Sequence, residues 1–378
     1  MGKSKKSVID IVKQNLIEKI VSGELAVGEA VLSERKLAEK YQVSYMTIRK
    51  AIFELAEDGY LRKESTRGTF VSNRWGIKHD LRHVAKPIIV LILSDLCNEF
   101  STKIIGYTER AARDQNFQLL VCNSELNVKL EAMHLEQALL LNVAGVIISP
   151  CYPQINEDAI RRLLDKGLPV VQIDKYFINL DAMSVVCDNY DAAFTATEYL
   201  IALGHRRIAH ITSNDSLKNI SSIRERFEGY RDALLKNKLT FRKEYIQELT
   251  KNCVNTKMSE LKLQSLGYRE MSALLKLTEV PTAVFLLFDE LAVGAMHAIN
   301  DNHLSVPGDI SLIGVNNDEI ASYIEPSLTT MAQPIQELAV NAVTLIADFL
   351  YGHPSRGGGK IKLKTKLIVR ESCMMHNG

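Results

Sequence analysis

The first seventy-odd residues carry three apolar stripes at helical spacing. Val8, Ile9, Val12, Leu16, Ile17 and Ile20 follow a 3.6-residue period, and Ser22-Gly23 ends the run. Ser33 opens a second helix with Glu34 in its first turn and Leu37, Ala38 and Tyr41 on its inner face. After the short break Gln42-Val43, Ser44 caps a third helix striped by Ile48, Ala51, Ile52, Leu55 and Ala56, which Asp58-Gly59 stops. Two β-prone runs follow, Tyr60-Leu61-Arg62-Lys63 and Gly68-Thr69-Phe70-Val71, around a polar turn. Three helices and a hairpin, with a tight turn between the second and third helices, predict a winged helix-turn-helix over residues 1–72.

Residues 73–86 are polar and basic without periodicity and are expected to form a linker carrying the one tryptophan, Trp75. From 87 to 378 the pattern changes. Short apolar runs at Ile88–Leu93, Gln118–Cys122, Gly145–Ser149 and Val170–Asp174 predict strands, with helical patterns between them at 101–115, 127–142 and 156–167. Further strands are expected at Arg207–Thr212, Thr282–Phe288, Ile310–Val315 and Lys362–Val369, the last after a glycine-rich turn. Strand–helix alternation predicts parallel sheets covered on both faces, with ligands at the carboxyl ends of the strands. So long a stretch exceeds one compact sheet domain, so two lobes around a cleft are expected.

Length and charge sharpen this picture. A chain of 378 residues has room for two or three domains, and 46% hydrophobic with 24% charged residues is a globular composition. The net charge of +1 hides an asymmetry: residues 1–86 hold 17 basic against 11 acidic side chains, and the remainder 29 against 34. A basic arm on a mildly acidic body suits one polyanion-binding part and one part with another task. The six cysteines are scattered and form no Cys-x-x-Cys pair, which argues for reduced thiols and against a structural zinc. A polar start and apolar runs far below a membrane span predict a cytoplasmic protein with no membrane partner.

The blocks Ser33-Glu34-Arg35-Lys36-Leu37-Ala38, Val43-Ser44-Tyr45-Met46-Thr47-Ile48-Arg49-Lys50-Ala51 and Arg67-Gly68-Thr69-Phe70-Val71 resemble the GntR-type DNA-binding domain. In such a motif the third helix leads into the major groove with its N-terminal residues. Ser44, Tyr45 and Thr47 are then placed for base edges or phosphates. Arg35 and Arg49 can grip phosphate or guanine through a bidentate guanidinium, and Arg67 with Gly68 at the wing tip can meet the neighbouring minor groove or phosphates. Simpler roles stand beside these: Ser33 and Ser44 as plain helix caps, and Arg49 as a solvated charge. Two departures are visible, Leu32 where the family usually has Pro and Tyr45 where many members have Arg.

The body resembles LacI/GalR-type regulators and the sugar-binding proteins of the same fold. The resemblance rests on Leu203-Gly204-His205-Arg206-Arg207-Ile208, Arg226-Phe227-Glu228-Gly229-Tyr230, Asp289-Glu290-Leu291-Ala292-Val293-Gly294, Val306-Pro307-Gly308-Asp309-Ile310 and Val369-Arg370-Glu371-Ser372, in that order. A GntR-type arm on such a body resembles the arabinose-type repressors of bacteria. The resemblance implies an α/β chain in which a winged helix-turn-helix precedes a two-lobed, periplasmic-binding-protein-like domain with lobe crossovers near 186, 331 and 358. It implies an effector site at Phe100, Asp174, Arg226, Phe288, Asn316 and Gln333. Asp174 and Arg226 would supply directed hydrogen bonds to a polyol, and Phe100 and Phe288 flat surface for a sugar ring. Asn316 stands where the family usually has Asp and Phe288 where it has Asn, which points to fewer hydroxyls at that end, as in a deoxy sugar. Here too simpler roles compete: Asp174 as a turn cap, Phe100 and Phe288 as core, and Asp289 as the N-cap of its helix.

Enzymatic motifs are missing. No Gly-x-Gly-x-x-Gly follows a strand, the glycines before Lys360 lack phosphate-loop spacing, and the histidines show no metal-ligand pattern. No cofactor is expected. The expected partners are double-stranded operator DNA, a monosaccharide-like effector that releases the DNA, and a second copy of the chain. A ligand-activated activator, or a carrier without DNA regulation, is the alternative.

Overall fold

The computed structural model describes residues 8–64, 68–72, 86–151, 155–213, 220–249, 263–352 and 359–376. The expected positions Arg67 and Trp75 and the crossover near 358 lie outside these residues, as does all of the linker but Lys86. The chain divides into two compact units, Met1–Pro87 and Ile88–Gly378.

In the first unit α1 (Val8–Val21), α2 (Glu34–Tyr41) and α3 (Tyr45–Glu57) precede the antiparallel hairpin β1 (Leu61–Glu64) and β2 (Gly68–Val71). The apolar stripes meet in one core: Val12, Leu16 and Ile20 of α1, Leu37 of α2, and Ile48, Ala51, Ile52 and Leu55 of α3 are buried with Tyr60, Leu61 and Val71. Lys13 ties α1 to the far end of α3 through Glu54 at 2.9 Å and Asp58 at 3.1 Å. Residues 28–31 add a third edge to the wing, since the Val31 amide donates to Thr69 O and the Val71 amide to Glu29 O, both at 2.9 Å. Gln42 closes α2 with a left-handed backbone, φ 53°, and this makes the sharp turn into α3.

The second unit has two sheets. The first lobe holds β3 (Ile88–Leu93), α4 (Glu99–Asp114), β4 (Gln118–Asn123), α5 (Val128–Leu140), β5 (Gly145–Ile148), α6 (Glu157–Asp165), β6 (Val170–Ile173) and β7 (Met183–Cys187). The second holds α7 (Asn189–Ala202), β8 (Ile208–Ser213), α8 (Ser221–Lys236), β9 (Ile246–Leu249), α9 (Leu263–Leu274), β10 (Ala283–Leu286), α10 (Glu290–Asp301), β11 (Ser311–Asn316), α11 (Ile320–Tyr323) and β12 (Thr329–Ala332). The last helix, α12 (Ile335–Tyr351), returns to the first lobe and buries Leu338, Ala342, Leu345 and Ile346 against β3, β5 and β6. Finally β13 (Lys360–Leu363) and β14 (Lys366–Ile368) close the two sheets.

The first sheet runs β13-β7-β6-β5-β3-β4, with every pair parallel, and the second β14-β12-β11-β10-β8-β9, parallel except for β14. Central strands such as β3 and β5 are apolar along almost their whole length because helices cover both faces. The chain passes between lobes from Cys187 to Asn189, from Ala332 to Ile335, and at Lys364-Thr365. The third passage therefore lies beyond the expected position near 358, and the single strand expected at Lys362–Val369 is two. Lys364 and Thr365 interrupt its apolar alternation, and each half pairs with a different sheet.

Candidate functional site

The exposed face of the first unit is built by two serine caps. Ser44 Oγ accepts from the Thr47 amide at 3.1 Å and lies 2.7 Å from Thr47 Oγ1, while Ser33 Oγ accepts from the Lys36 amide at 3.4 Å. The capping role proposed as the simpler reading is thus present in both. The Ser33 cap starts α2 and the Ser44 cap starts α3, so that Tyr45, Met46, Arg49 and Lys50 project from the exposed side of α3, with Arg35 exposed on α2 and Gly68 at the start of β2. Glu34 is the acid within this basic face. Its burial would raise its pKa, but hydrogen bonds from Lys63 and Tyr45 outweigh this and hold it below the usual range. Lys63 of the wing thereby reaches α2 at 2.8 Å, and both Tyr45 and Arg49 of α3 act on the same Glu34 carboxylate.

In the second unit the strand ends converge on one cavity of about 180 Å³, and all six expected effector residues line it. Ser94 follows β3, Ser149 follows β5, Asp174 and Lys175 follow β6, and Phe288 follows β10. Asn316 ends β11 and Gln333 follows β12, so the site is drawn from the carboxyl ends of both sheets. Asp174 has a left-handed backbone, φ 66°, and its Oδ2 faces Lys175 Nζ and Ser149 Oγ, each at 3.4 Å. Arg226 is only 3% exposed; its Nε donates to Asn189 Oδ1 at 2.9 Å and its Nη1 to Leu287 O at 3.0 Å. Burial pulls the guanidinium pKa down, and the nearby carboxylates Asp174, Asp289 and Asp318 oppose that pull. Phe100 and Phe288 each line the cavity and each pack on the core of their own lobe.

Asp289 stands at the N-cap position of its helix, as expected, but its side chain does not cap it. It makes no capping bond to α10; instead it is fully buried, accepting Thr330 Oγ1 at 2.6 Å and the Asp318 amide at 2.9 Å. In doing so it braces Asn316 and Asn317, whose backbones lie at φ 122° and 58°, a conformation L-residues adopt only when held. Asn316 then donates to Asp318 Oδ2 at 3.1 Å and accepts from Gln333 Nε2 at 2.6 Å, and Gln333 Oε1 accepts from Cys187 Sγ at 3.4 Å. This line of contacts joins two of the lobe passages to the cavity wall.

The lobes also touch directly. The Tyr176 amide donates to Ser221 Oγ at 2.9 Å, while the Tyr176 hydroxyl and Lys362 Nζ both donate to Glu225 Oε1, at 2.8 and 3.1 Å. Burial, then Glu225, pushes the Tyr176 phenol up to about 12. The Glu319 amide donates to Glu99 Oε2 at 2.8 Å.

Comparison with known families decides what this pair of units is. Residues 9–71 match the model for bacterial regulatory proteins of the gntR family, and residues 197–373 the periplasmic binding protein-like domain. The chain joins a gntR-family regulatory domain to a periplasmic binding protein-like domain. It is a transcriptional regulator. Among its relatives is the arabinose metabolism transcriptional repressor of Geobacillus stearothermophilus, 27% identical over 95% of this chain and 96% of that one. The repressor of the same description from Halalkalibacterium halodurans is 26% identical over 96% of each. A LacI family regulator from Enterococcus faecium, solved with bound ribose, superposes with a TM-score of 0.63 at 26% identity, over 77% of this chain and all of that one. The CcpA regulator of Lactococcus lactis shares the fold at a TM-score of 0.66 and 24% identity, over 76% of this chain and 99% of that one.

Some cavity residues of this regulator escape sequence reasoning. Asp95, Glu99, Lys175, Glu290 and Asp318 also line the cavity. Asp95 and Lys175 directly follow strand ends, a signal that could have found them, but Glu99 and Glu290 open helices and read as ordinary first-turn acids. The five cysteines among the described residues are free, and no helix there is long and apolar enough to cross a membrane.

Proposed function

We propose that this regulator is a sugar-responsive repressor, binding operator DNA as a dimer through the winged helix and releasing it when a small sugar-like effector occupies the cleft. The observation that carries this reading is the convergence of Phe100, Asp174, Arg226, Phe288, Asn316 and Gln333 on one cavity, in a chain that also holds a GntR-type winged helix. Carboxylate, guanidinium and amide groups beside two aromatic faces suit a ring bearing hydroxyls, because each hydroxyl both donates and accepts. The relatives named as arabinose metabolism repressors and the ribose-bound neighbour support a monosaccharide as the chemical class. On the DNA side, Ser44, Tyr45, Thr47 and Arg49 of α3, Ser33 and Arg35 of the α2 start, and Arg67 with Gly68 of the wing form the proposed contact set.

The test is a gel shift with the full-length chain and the DNA upstream of its own gene, repeated with a panel of monosaccharides. The expected result is a complex of two chains per site that one sugar dissolves. A complex that every sugar leaves intact would remove the effector part of the proposal, and no complex at all would remove the operator part.

A further inference from the structure

The charge around the cavity is unbalanced. Among the described residues five carboxylates line it, Asp95, Glu99, Asp174, Glu290 and Asp318, against two cations, Lys175 and Arg226. Lys175 is paired with Asp174, and Glu99 with Lys103 one helical turn on. Glu290 and Asp318 form no ion pair among the described residues. Asp318 is 4% exposed and accepts from the neutral Asn316 amide, and Glu290 Oε2 is buried with no hydrogen-bond partner. Burial raises both carboxyl pKa values, Asp318 to about 7, with Glu290 the next contribution for Asp318. Arg226 and Lys103 act on Asp318 only across space, and two acids in a cavity wall with no directly paired cation are costly unless the occupant brings one. No group of three His, Cys, Asp or Glu side chains among the described residues could hold a metal ion. Phe288, two residues before Glu290, and Phe100, next to Glu99, add aromatic surface, which attracts ammonium groups.

We propose that the effector of this cleft carries a protonated amine, as in an amino sugar or amino polyol, and that Glu290 and Asp318 receive it beside Phe288. The inference rests on the cleft being the effector site and narrows what enters it. It also gives a reason for Phe288 and Asn316 standing where the family usually has Asn and Asp: the acid is supplied two positions further on in each loop, by Glu290 and Asp318.

The experiment is calorimetric titration of the full-length regulator at about pH 7 with matched pairs: glucosamine and glucose, galactosamine and galactose, mannosamine and mannose, and the N-acetyl form of each amine. A charge-assisted hydrogen bond predicts that at least one amine binds about tenfold tighter than both its neutral counterparts. Glu290→Gln should bring that amine down to the level of the parent sugar. Asp318→Asn should do the same, and a circular dichroism melt shows that each variant is folded. A panel in which no amine exceeds its neutral counterparts overturns the proposal, and so does a preference that survives both substitutions. The cleft reading fails separately, if Arg226→Ala leaves sugar binding of any kind unchanged.

Discussion

Arg226 shows how much one side chain is asked to do. It is held by Asn189 and by the Leu287 carbonyl, so the chain itself sets its position. Arg226→Ala is expected to abolish the effector response while leaving apo DNA binding near normal, and Asp174→Ala to act likewise. Gel shifts with and without effector check both, and a full response in either variant would return that residue to a purely structural role. The acids behave differently. Asp289 and Asp318 both have carboxyl pKa values raised by burial to about 7, far above the value of about 3.9 in an unfolded chain. Between those two values the folded state binds more protons than the unfolded state, so these groups make stability fall as pH rises through that window. This is the reverse of the usual surface carboxylate. Melting temperatures taken from about pH 5 to about pH 8 should therefore decline less steeply for Asp318→Asn than for the native chain. Equal slopes would show that burial does not raise Asp318.

Two elements depend on single positions. Helix α3 begins at the Ser44 cap, and Ser44→Ala should cost about 1 kcal/mol in the winged helix and weaken DNA binding by loosening the first turn that presents Tyr45 and Thr47. Urea melts monitored on the arm check this, with Ser44→Asp, which keeps a cap acceptor, expected to restore the stability. In the second lobe α9 and α10 pack backbone against backbone. A Cβ on Gly294 would lie 1.7 Å from Gln264 O, and one on Gly267 would lie 2.1 Å from Leu291 O. Because the obstructing atoms are backbone, the helices themselves must separate. Gly294→Ala is expected to cost about 1–3 kcal/mol, read as a lower denaturation midpoint of the body.

At the scale of the whole molecule the question is how a filled cleft reaches the DNA. The clasp formed by Tyr176, Ser221, Glu225 and Lys362 joins the lobes through the chain's own groups, so it favours the closed arrangement alongside any ligand. Tyr176→Phe removes one hydrogen bond to a charged acceptor and should weaken effector affinity by about tenfold, measured by titration of the effector. Effector binding can shift DNA affinity only by its preference for one state, typically 1–3 kcal/mol, which predicts a change of about 5- to 150-fold. Paired half-sites about 34 Å apart require two arms, so the full chain should be dimeric on its operator, and sedimentation of the complex tests this. Arg49→Ala should lower the slope of log affinity against log salt by about one if the guanidinium holds a phosphate.

What the sequence determined by itself was whatever depends on local periodicity and short motifs. The three helical stripes, the caps at Ser33 and Ser44, and strands such as Ile88–Leu93 are written in neighbouring residues, because each is stabilised mainly by its own turn or its own buried face. The six cleft residues were legible only through resemblance, since nothing in the spacing of Phe100, Asp174 and Arg226 brings them together. The tertiary structure alone decided three matters. Lys364-Thr365 became a passage between lobes because two different sheets compete for the edges on either side of it. Asp289 became a buried brace because Thr330, 41 residues away, reaches its carboxylate before the helix it precedes can use it as a cap. Glu290 and Asp318 became neighbours in a cavity because β10 and β11 lie side by side with Ala283 level with Ser311, a consequence of parallel pairing that no local pattern records.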